Sequence, residues 1–316
     1  MTFVLAHKGE TQSCPENTMP AFEECMRLGV DGFETDIHIT SDGVPVISHG
    51  YTINAYSDGE GCINDMTLAE LKKYDFGSWK GEAFKGTGIC TLEECLNRFA
   101  DRGIVGLDIK TPLRMNLDLE GAVSEVVGRC PKKENVIISS FDHSSLNKIR
   151  DIDDTLNLGA IMLPAFSELE DLLDIISECY PSDIPLDSLK PEDVTPFEDG
   201  TIIDDWLGVH GMDMTELYMD VAHILGSMYP GETFQVVGRL IGQQANIPEY
   251  IKTLDSDPEY VLCHYISPMM ESDLASKLHE QKKTVVAWGV SSKEGIDRMF
   301  SEGADGVISD YCEKIA

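Results

Sequence analysis

The strongest constraint on the fold is a recurrence. Short, continuously apolar, β-rich runs alternate with amphipathic helical stretches along the chain, at residues 3–6, 32–38, 104–109, 136–140, 158–163, 260–265, 284–288 and 306–309. A strand that is apolar throughout, rather than on alternate residues, is covered on both faces, and helices between such strands indicate a parallel sheet. Eight of them predict a TIM (β/α)8 barrel, with an open doubly wound sheet as the alternative. Local punctuation agrees. Thr67-Leu68-Ala69-Glu70 and Thr91-Leu92-Glu93-Glu94 have the spacing of capping boxes, and Gly29 and Gly103 are expected as left-handed helix caps. Ser41-Asp42-Gly43 predicts a tight turn leading into an extended run at 44–48, a hairpin extension after the second strand.

Two stretches exceed a minimal barrel. Residues 52–61 are glycine-rich and polar and read as a loop. The second stretch, 165–258, separates the fifth and sixth barrel strands, where one helix and short loops would suffice. It holds 20 acidic against 3 basic residues, about half of the chain's formal −32. Amphipathic helices are expected around 168–179 and 215–228, flanking a segment with Pro181, Pro185, Pro191 and Pro196, and a helix at 247–254 is expected to return to the barrel ring. The chain therefore reads as a single barrel domain over 1–316, with 165–258 as a long acidic, mainly helical inserted subdomain. That insertion is either a solvated face or a lid or dimerisation element through which the chain forms a homo-oligomer.

With 24 Lys plus Arg against 56 Asp plus Glu, the chain lacks the basic face that nucleic acid or an anionic membrane requires. No apolar window reaches about 18 residues, so no stable membrane insertion is expected, and the start of the chain is too short in apolar residues for a secretory signal. Nine cysteines, an odd number without a C-x-x-C pair, fit reduced thiols and a cytoplasmic location.

The chemistry concentrates in the first fifty residues. His7 closes the first strand, and a barrel carries its functional groups at the C-terminal strand ends. Glu34 and Asp36, two apart in a strand, project from one face. Two such carboxylates repel unless a cation or proton lies between them, and oxygen-only ligation favours Mg2+ or Ca2+. Asp108, late in the third strand, offers a third carboxylate; Lys110 follows on the same face, and His49 ends the hairpin. Imidazoles, carboxylates and ammonium groups at one rim suit metal-assisted attack on a phosphodiester, one histidine taking a proton from the nucleophile and the other protonating the leaving alkoxide.

These residues lie in motifs. Ala6-His7-Lys8-Gly9, Pro15-Glu16-Asn17-Thr18, Glu34-Thr35-Asp36, Asp42-Gly43-Val44-Pro45-Val46 and His49-Gly50 follow one another in order. Downstream come Leu107-Asp108-Ile109-Lys110, Ser139-Ser140-Phe141, Ala287-Trp288-Gly289-Val290 and the run from Gly303 to Asp310. The series resembles the glycerophosphodiester phosphodiesterase family over nearly the whole chain outside 165–258. The resemblance implies hydrolysis of glycerophosphodiesters to sn-glycerol 3-phosphate and an alcohol, in lipid and glycerol metabolism. It implies His7 and His49 as the acid/base pair and Glu34, Asp36 and Asp108 as ligands of one divalent cation. Lys8 would hold the phosphate, Lys110 and Trp288 would line the phosphate and glycerol ends of the pocket, and Glu16 would orient His7 or Lys8. Attack by the substrate's own hydroxyl and attack by water both remain open, as do a relative acting on a lysophospholipid or another diester and a catalytically weak binding barrel.

Three positions depart from the family pattern. Lys8 stands in place of an arginine and supplies a point charge rather than a planar fork. Asp108 is one methylene shorter than the usual glutamate, and Gly50 replaces an aspartate that could orient His49. His38, on the face of Glu34 and Asp36, is read as rim structure. His143, His210, His223, His264 and His279 have no motif context, and the cysteines read as small buried hydrophobes.

Overall fold

The computed structural model describes residues 2–110, 112, 116–162, 246–265, 267 and 272–312. Among them are nine strands: β1 (Phe3–His7), β2 (Gly32–Ile39), β3 (Pro45–Ile47), β4 (Ile104–Ile109), β5 (Val136–Ser140), β6 (Asn157–Met162), β7 (Tyr260–His264), β8 (Thr284–Val290) and β9 (Gly306–Ser309). All but β3 pair in parallel in the ring order β1-β2-β4-β5-β6-β7-β8-β9, and the β1–β2 pairing closes it. The architecture is thus the closed barrel, not the open sheet. β3 runs antiparallel to the end of β2, pairing Ile37 with Ile47 and Ile39 with Pro45 beyond the stretch of β2 that pairs with β1. This hairpin brings the chain back to the rim where β1 ends.

The helices among the described residues are α1 (Met19–Leu28), α2 (Leu68–Leu71), α3 (Leu92–Phe99), α4 (Leu119–Arg129), α5 (His143–Ile152), α6 (Ile247–Ile251), α7 (Leu274–Glu280) and α8 (Lys293–Ser301). Both capping boxes form, with Thr67 and Glu70 opening α2 and Thr91 and Glu94 opening α3. Gly29 ends α1 with φ 82°, the left-handed cap expected of it. Gly103 corrects the sequence reading. It is absent from the positive-φ residues, and a Cβ there would sit 2.6 Å from the Asp31 carbonyl oxygen. Close approach of two backbones, not a helix cap, demands glycine at 103.

Alternation along the strands divides the core in two. Phe33, Ile37, Val105, Leu107, Ile138, Leu158, Val261 and Val285 face outward and pack with Phe22, Phe99, Val123, Ile149 and Leu278 of the helices. Leu5, Ile161, Leu262, Val286 and Ile308, from the five consecutive ring strands β6, β7, β8, β9 and β1, meet one another inside it. Two residues further along, the same inward parity carries His7, Trp288 and Asp310 to the C-terminal mouth. Ile247 and Ile251 of α6 join the outer layer, so this short helix belongs to the barrel ring.

The chain divides into two units, 1–162 with 247–316, and 163–246. The expected helices around 168–179 and 215–228, the proline segment, and any lid or dimerisation role of the insertion lie outside the described residues.

Candidate active site and metal centre

Parallel register sets the acidic groups side by side. His7 pairs with Glu34 across β1 and β2, and Asp36 pairs with Asp108 across β2 and β4. Glu34, Asp36 and Asp108 are all buried and can each offer a carboxylate oxygen within 4.8 Å of the other two. Three buried carboxylates at this range repel, and their partners show how the fold sustains them. Lys110, itself buried, sets its Nζ 3.0 Å from Asp36 Oδ1 and 2.8 Å from Asp108 Oδ2. Burial alone would raise Asp36, but Lys110 with its neighbouring cations holds it well below the usual carboxylate range. Glu34 goes the other way, pushed up by burial and by the charge of Asp36. Glu34 Oε2 is buried with no hydrogen-bond partner among the described residues. A buried, acceptor-only oxygen beside two further carboxylates is the donor set of a hard divalent cation, so the residues present fit Mg2+ or Ca2+.

The turn after β1 places the remaining rim groups. Lys8 has φ 58° and Gly9 φ 83°, so two successive left-handed residues turn the chain sharply outward. A left-handed lysine is uncommon and marks a backbone fixed by its surroundings. Lys8 Nζ lies 3.4 Å from Glu16 Oε1, so Glu16 meets Lys8 rather than His7. Burial works against the Lys8 ammonium, yet Asp36 and Glu16 raise it above its ordinary value. His7 is held from the far end of the chain, where Asp310 Oδ1 lies 2.7 Å from Nδ1. Burial lowers His7, but the Asp310 bond together with the charges of Glu34 and Asp310 leaves it raised. Its Nε2 lies 3.9 Å from Glu34 Oε2.

The motif reading assigns no role to Asn17 or Asp310, and both are in direct contact with the site. Asn17 is buried in the left-handed region with φ 54°. Its Nδ2 donates to Asp36 Oδ2 at 2.8 Å, and its Oδ1 accepts from Thr35 Oγ1 at 2.6 Å. Asn17 thus holds the second oxygen of the carboxylate whose first oxygen meets Lys110. The signal is present within Pro15-Glu16-Asn17-Thr18, because asparagine tolerates a left-handed turn.

His49 follows β3 and faces the same groups; the charges of Asp36, Lys8, Lys110 and His7 all act on it, and burial pushes it down to about 3. His38 stands behind it. His38 Nε2 donates to the His49 carbonyl at 3.1 Å, and its ring meets Tyr51 edge-on at 4.8 Å, the rim structure expected of it. Trp288 lies across the mouth, its indole donating to the Leu262 carbonyl at 3.2 Å and its ring edge-on to Phe141 and His264. His143 sits between the Tyr250 hydroxyl and the Ile161 carbonyl, and His279 pairs with Asp305; neither meets the carboxylates. His210 and His223 lie outside the described residues. Among the described residues, seven of eight cysteines are buried and one is intermediate, in keeping with their reading as small hydrophobes.

The structure therefore brings His7, Lys8, Glu34, Asp36, Asp108, Lys110 and His49 to one rim, with Glu16 behind Lys8 and Trp288 opposite. Such a rim can hold a cation and move protons on either side of a bound ester. Comparison with known proteins points the same way. A glycerophosphodiester phosphodiesterase of Caldanaerobacter subterraneus subsp. tengcongensis is 37% identical over 161 residues, 51% of this chain and 66% of that protein. One from Bacillus subtilis is 29% identical over 187 residues, 55% of this chain and 63% of that protein. The chain thus matches just under two thirds of the length of these curated relatives. Among solved structures, a phosphodiesterase from Oleispira antarctica in complex with the product sn-glycerol-3-phosphate superposes with a TM-score of 0.66 at 20% identity, over 99% of this chain and 94% of that one. A glycerophosphodiester phosphodiesterase from Agrobacterium tumefaciens gives 0.63 at 15%, over 99% and 98%. At such identities these two bear on the fold alone. The model of the glycerophosphoryl diester phosphodiesterase family, however, matches residues 7–170, just over half of the chain and the stretch that carries the cluster from His7 to Lys110; the chain belongs to that family.

Proposed function

We propose that the chain hydrolyses small glycerophosphodiesters to sn-glycerol 3-phosphate and an alcohol. The observation that carries this reading is the juxtaposition of a buried Glu34–Asp36–Asp108 cluster with His7 at the same barrel mouth. Glu34, Asp36 and Asp108 would hold one divalent cation, Mg2+ or Ca2+, which when bound polarises the phosphoryl oxygens. Lys8 and Lys110 attract the phosphate and offset its charge as it passes through the transition state. His7 and His49 form the proton-transferring pair, one accepting from the nucleophile and the other donating to the leaving alkoxide. The nucleophile is either water or a hydroxyl of the substrate's own glycerol, and the same pair serves both. Asp310 fixes the His7 ring, Glu16 fixes Lys8, and Trp288 offers the carbon skeleton of the substrate an apolar wall.

The odd cysteine count supports a reducing, cytoplasmic setting. No helix among the described residues is long and apolar enough to cross a membrane. The test is release of glycerol 3-phosphate from glycerophosphocholine, with Mg2+ or Ca2+ and with chelator. Cation-dependent release that His7→Ala abolishes is expected. Tight diester binding without turnover under either cation would replace the hydrolase by a binding barrel.

A further inference from the structure

We propose that Tyr56 is a positioning residue for His49, held in the loop outside the barrel so that its hydroxyl fixes the orientation of that imidazole. The proposal rests on the reading of His49 as one of the proton-transferring pair. Residues 52–61 exceed what a minimal barrel needs, and the reaction as derived uses none of them. Yet the Tyr56 hydroxyl lies 3.3 Å from His49 Nδ1, and the two rings meet at 89° with centroids 6.2 Å apart. Tyr56 is braced in turn. Trp79 meets it edge-on at 6.1 Å, and Trp79 is itself tied down by its indole N–H, which donates to the Phe76 carbonyl at 3.0 Å.

Two features make this arrangement specific. An ideal Cβ on Gly50 would lie 3.3 Å from Tyr56 Cε2, so the absence of a side chain directly after His49 leaves room for the phenol ring. In addition, His38 already holds the His49 carbonyl, which fixes the backbone and leaves the side-chain torsions as the freedom still to be set. A contact at Nδ1 sets them and leaves Nε2 for the substrate. The partner is also chemically apt. A phenol accepts from Nδ1–H or, with its hydroxyl turned, donates to a bare Nδ1, so the contact persists whichever ring nitrogen carries the proton. It brings no further negative charge to a mouth that already holds three carboxylates. His7, by contrast, is held by the carboxylate of Asp310.

The test compares wild type with Tyr56→Phe, which removes one oxygen and keeps the ring. Loss of a neutral orienting hydrogen bond should lower kcat on glycerophosphocholine about three- to tenfold, with KM and the half-saturating Mg2+ or Ca2+ concentration within about twofold. In 15N-histidine-labelled protein, assigned with His49→Gln, the substitution should move the Nδ1 resonance of His49 and leave that of His7 in place. Unchanged kcat with an unmoved resonance overturns the proposal. So does a fall in kcat accompanied by equal losses in cation binding and melting temperature, which would make Tyr56 a general packing residue. If the wild-type chain turns over no diester, the hydrolase reading fails and His49 has no reaction to be positioned for, whereas an active wild type with a Tyr56→Phe variant equal to it sinks this inference alone.

Discussion

Lys110→Met tests the electrostatic core of the site. The Lys110 ammonium meets Asp36 and Asp108 at 3.0 and 2.8 Å, with the three side chains 8%, 3% and 8% exposed. Removing one partner of a buried ion pair leaves uncompensated charge and typically costs about 3–5 kcal/mol, and here one cation serves two carboxylates. Methionine keeps the length and apolar bulk of the stem, so lost packing adds little. In chelator, a loss of that size should lower the melting temperature by roughly 6–20 °C for a unit of this size. A divalent cation among Glu34, Asp36 and Asp108 supplies the missing positive charge. At about a thousand times its Kd it returns ~4 kcal/mol, close to the whole loss. The gain from added Mg2+ or Ca2+ should be larger in the variant than in wild type, where Lys110 already occupies one oxygen of each aspartate. The assay is thermal denaturation of both proteins with chelator and with each cation. A variant as stable as wild type in chelator, or one that gains nothing from either cation, refutes the reasoning.

Other expectations follow from the same contacts. Asn17→Gly keeps the left-handed backbone but strips the donor from Asp36 and should cost about 2–3 kcal/mol; Asn17→Ala should cost about 1 kcal/mol more because φ is 54°, as read from urea denaturation midpoints. Asp310→Asn should reduce kcat at least about tenfold while changing stability by less than about 1 kcal/mol, since the pair it breaks with His7 is partly exposed at the mouth. Burial pushes His264 down to about 3 from an ordinary 6.5. Below pH 6.5 the unfolded chain therefore takes up a proton that the folded chain refuses. Its stabilising contribution is complete above that pH and declines on acidification, by roughly 2 kcal/mol at pH 5, and His264→Phe should flatten the difference between denaturation midpoints at pH 7 and pH 5.

What could be read from the sequence was what local pattern encodes. The bounds of β4, β5 and β9 match the sequence runs, because an apolar strand between two helices has few alternatives. Both capping boxes formed because a hydroxyl and a carboxylate three residues apart need nothing else from the fold. Period-two parity placed Glu34, Asp36, Asp108 and Lys110 on one face. Gly103 misled because the same residue answers two demands, a left-handed turn and a close backbone approach, and only the packed neighbour at Asp31 distinguishes them. Asp310 and Tyr56 escaped for another reason. Asp310 lies 303 positions from His7, and barrel closure alone brings them together. Tyr56 sits in a loop without period, where only the turn geometry decides which way a ring points.

The charge of the chain sets the terms on which this site can work. A formal −32 opposes the approach of an anionic diester, but at physiological salt that field is screened over about 8 Å. What the substrate meets is local, and locally the balance is still negative: Glu16, Glu34, Asp36, Asp108 and Asp310 against Lys8 and Lys110. The apolar floor of Leu5, Ile161, Leu262, Val286 and Ile308 lies directly beneath. Next to that low-dielectric layer each charge acts more strongly than it would in water. A divalent cation held at the carboxylates would cut that local excess from three negative charges to one. Cation and diester would therefore favour one another's binding, because each lowers the electrostatic penalty that the other meets. In the proposed reaction the acidic cluster would repel the substrate when bare and recruit it once a cation is bound, so the same carboxylates would set both the barrier and its removal.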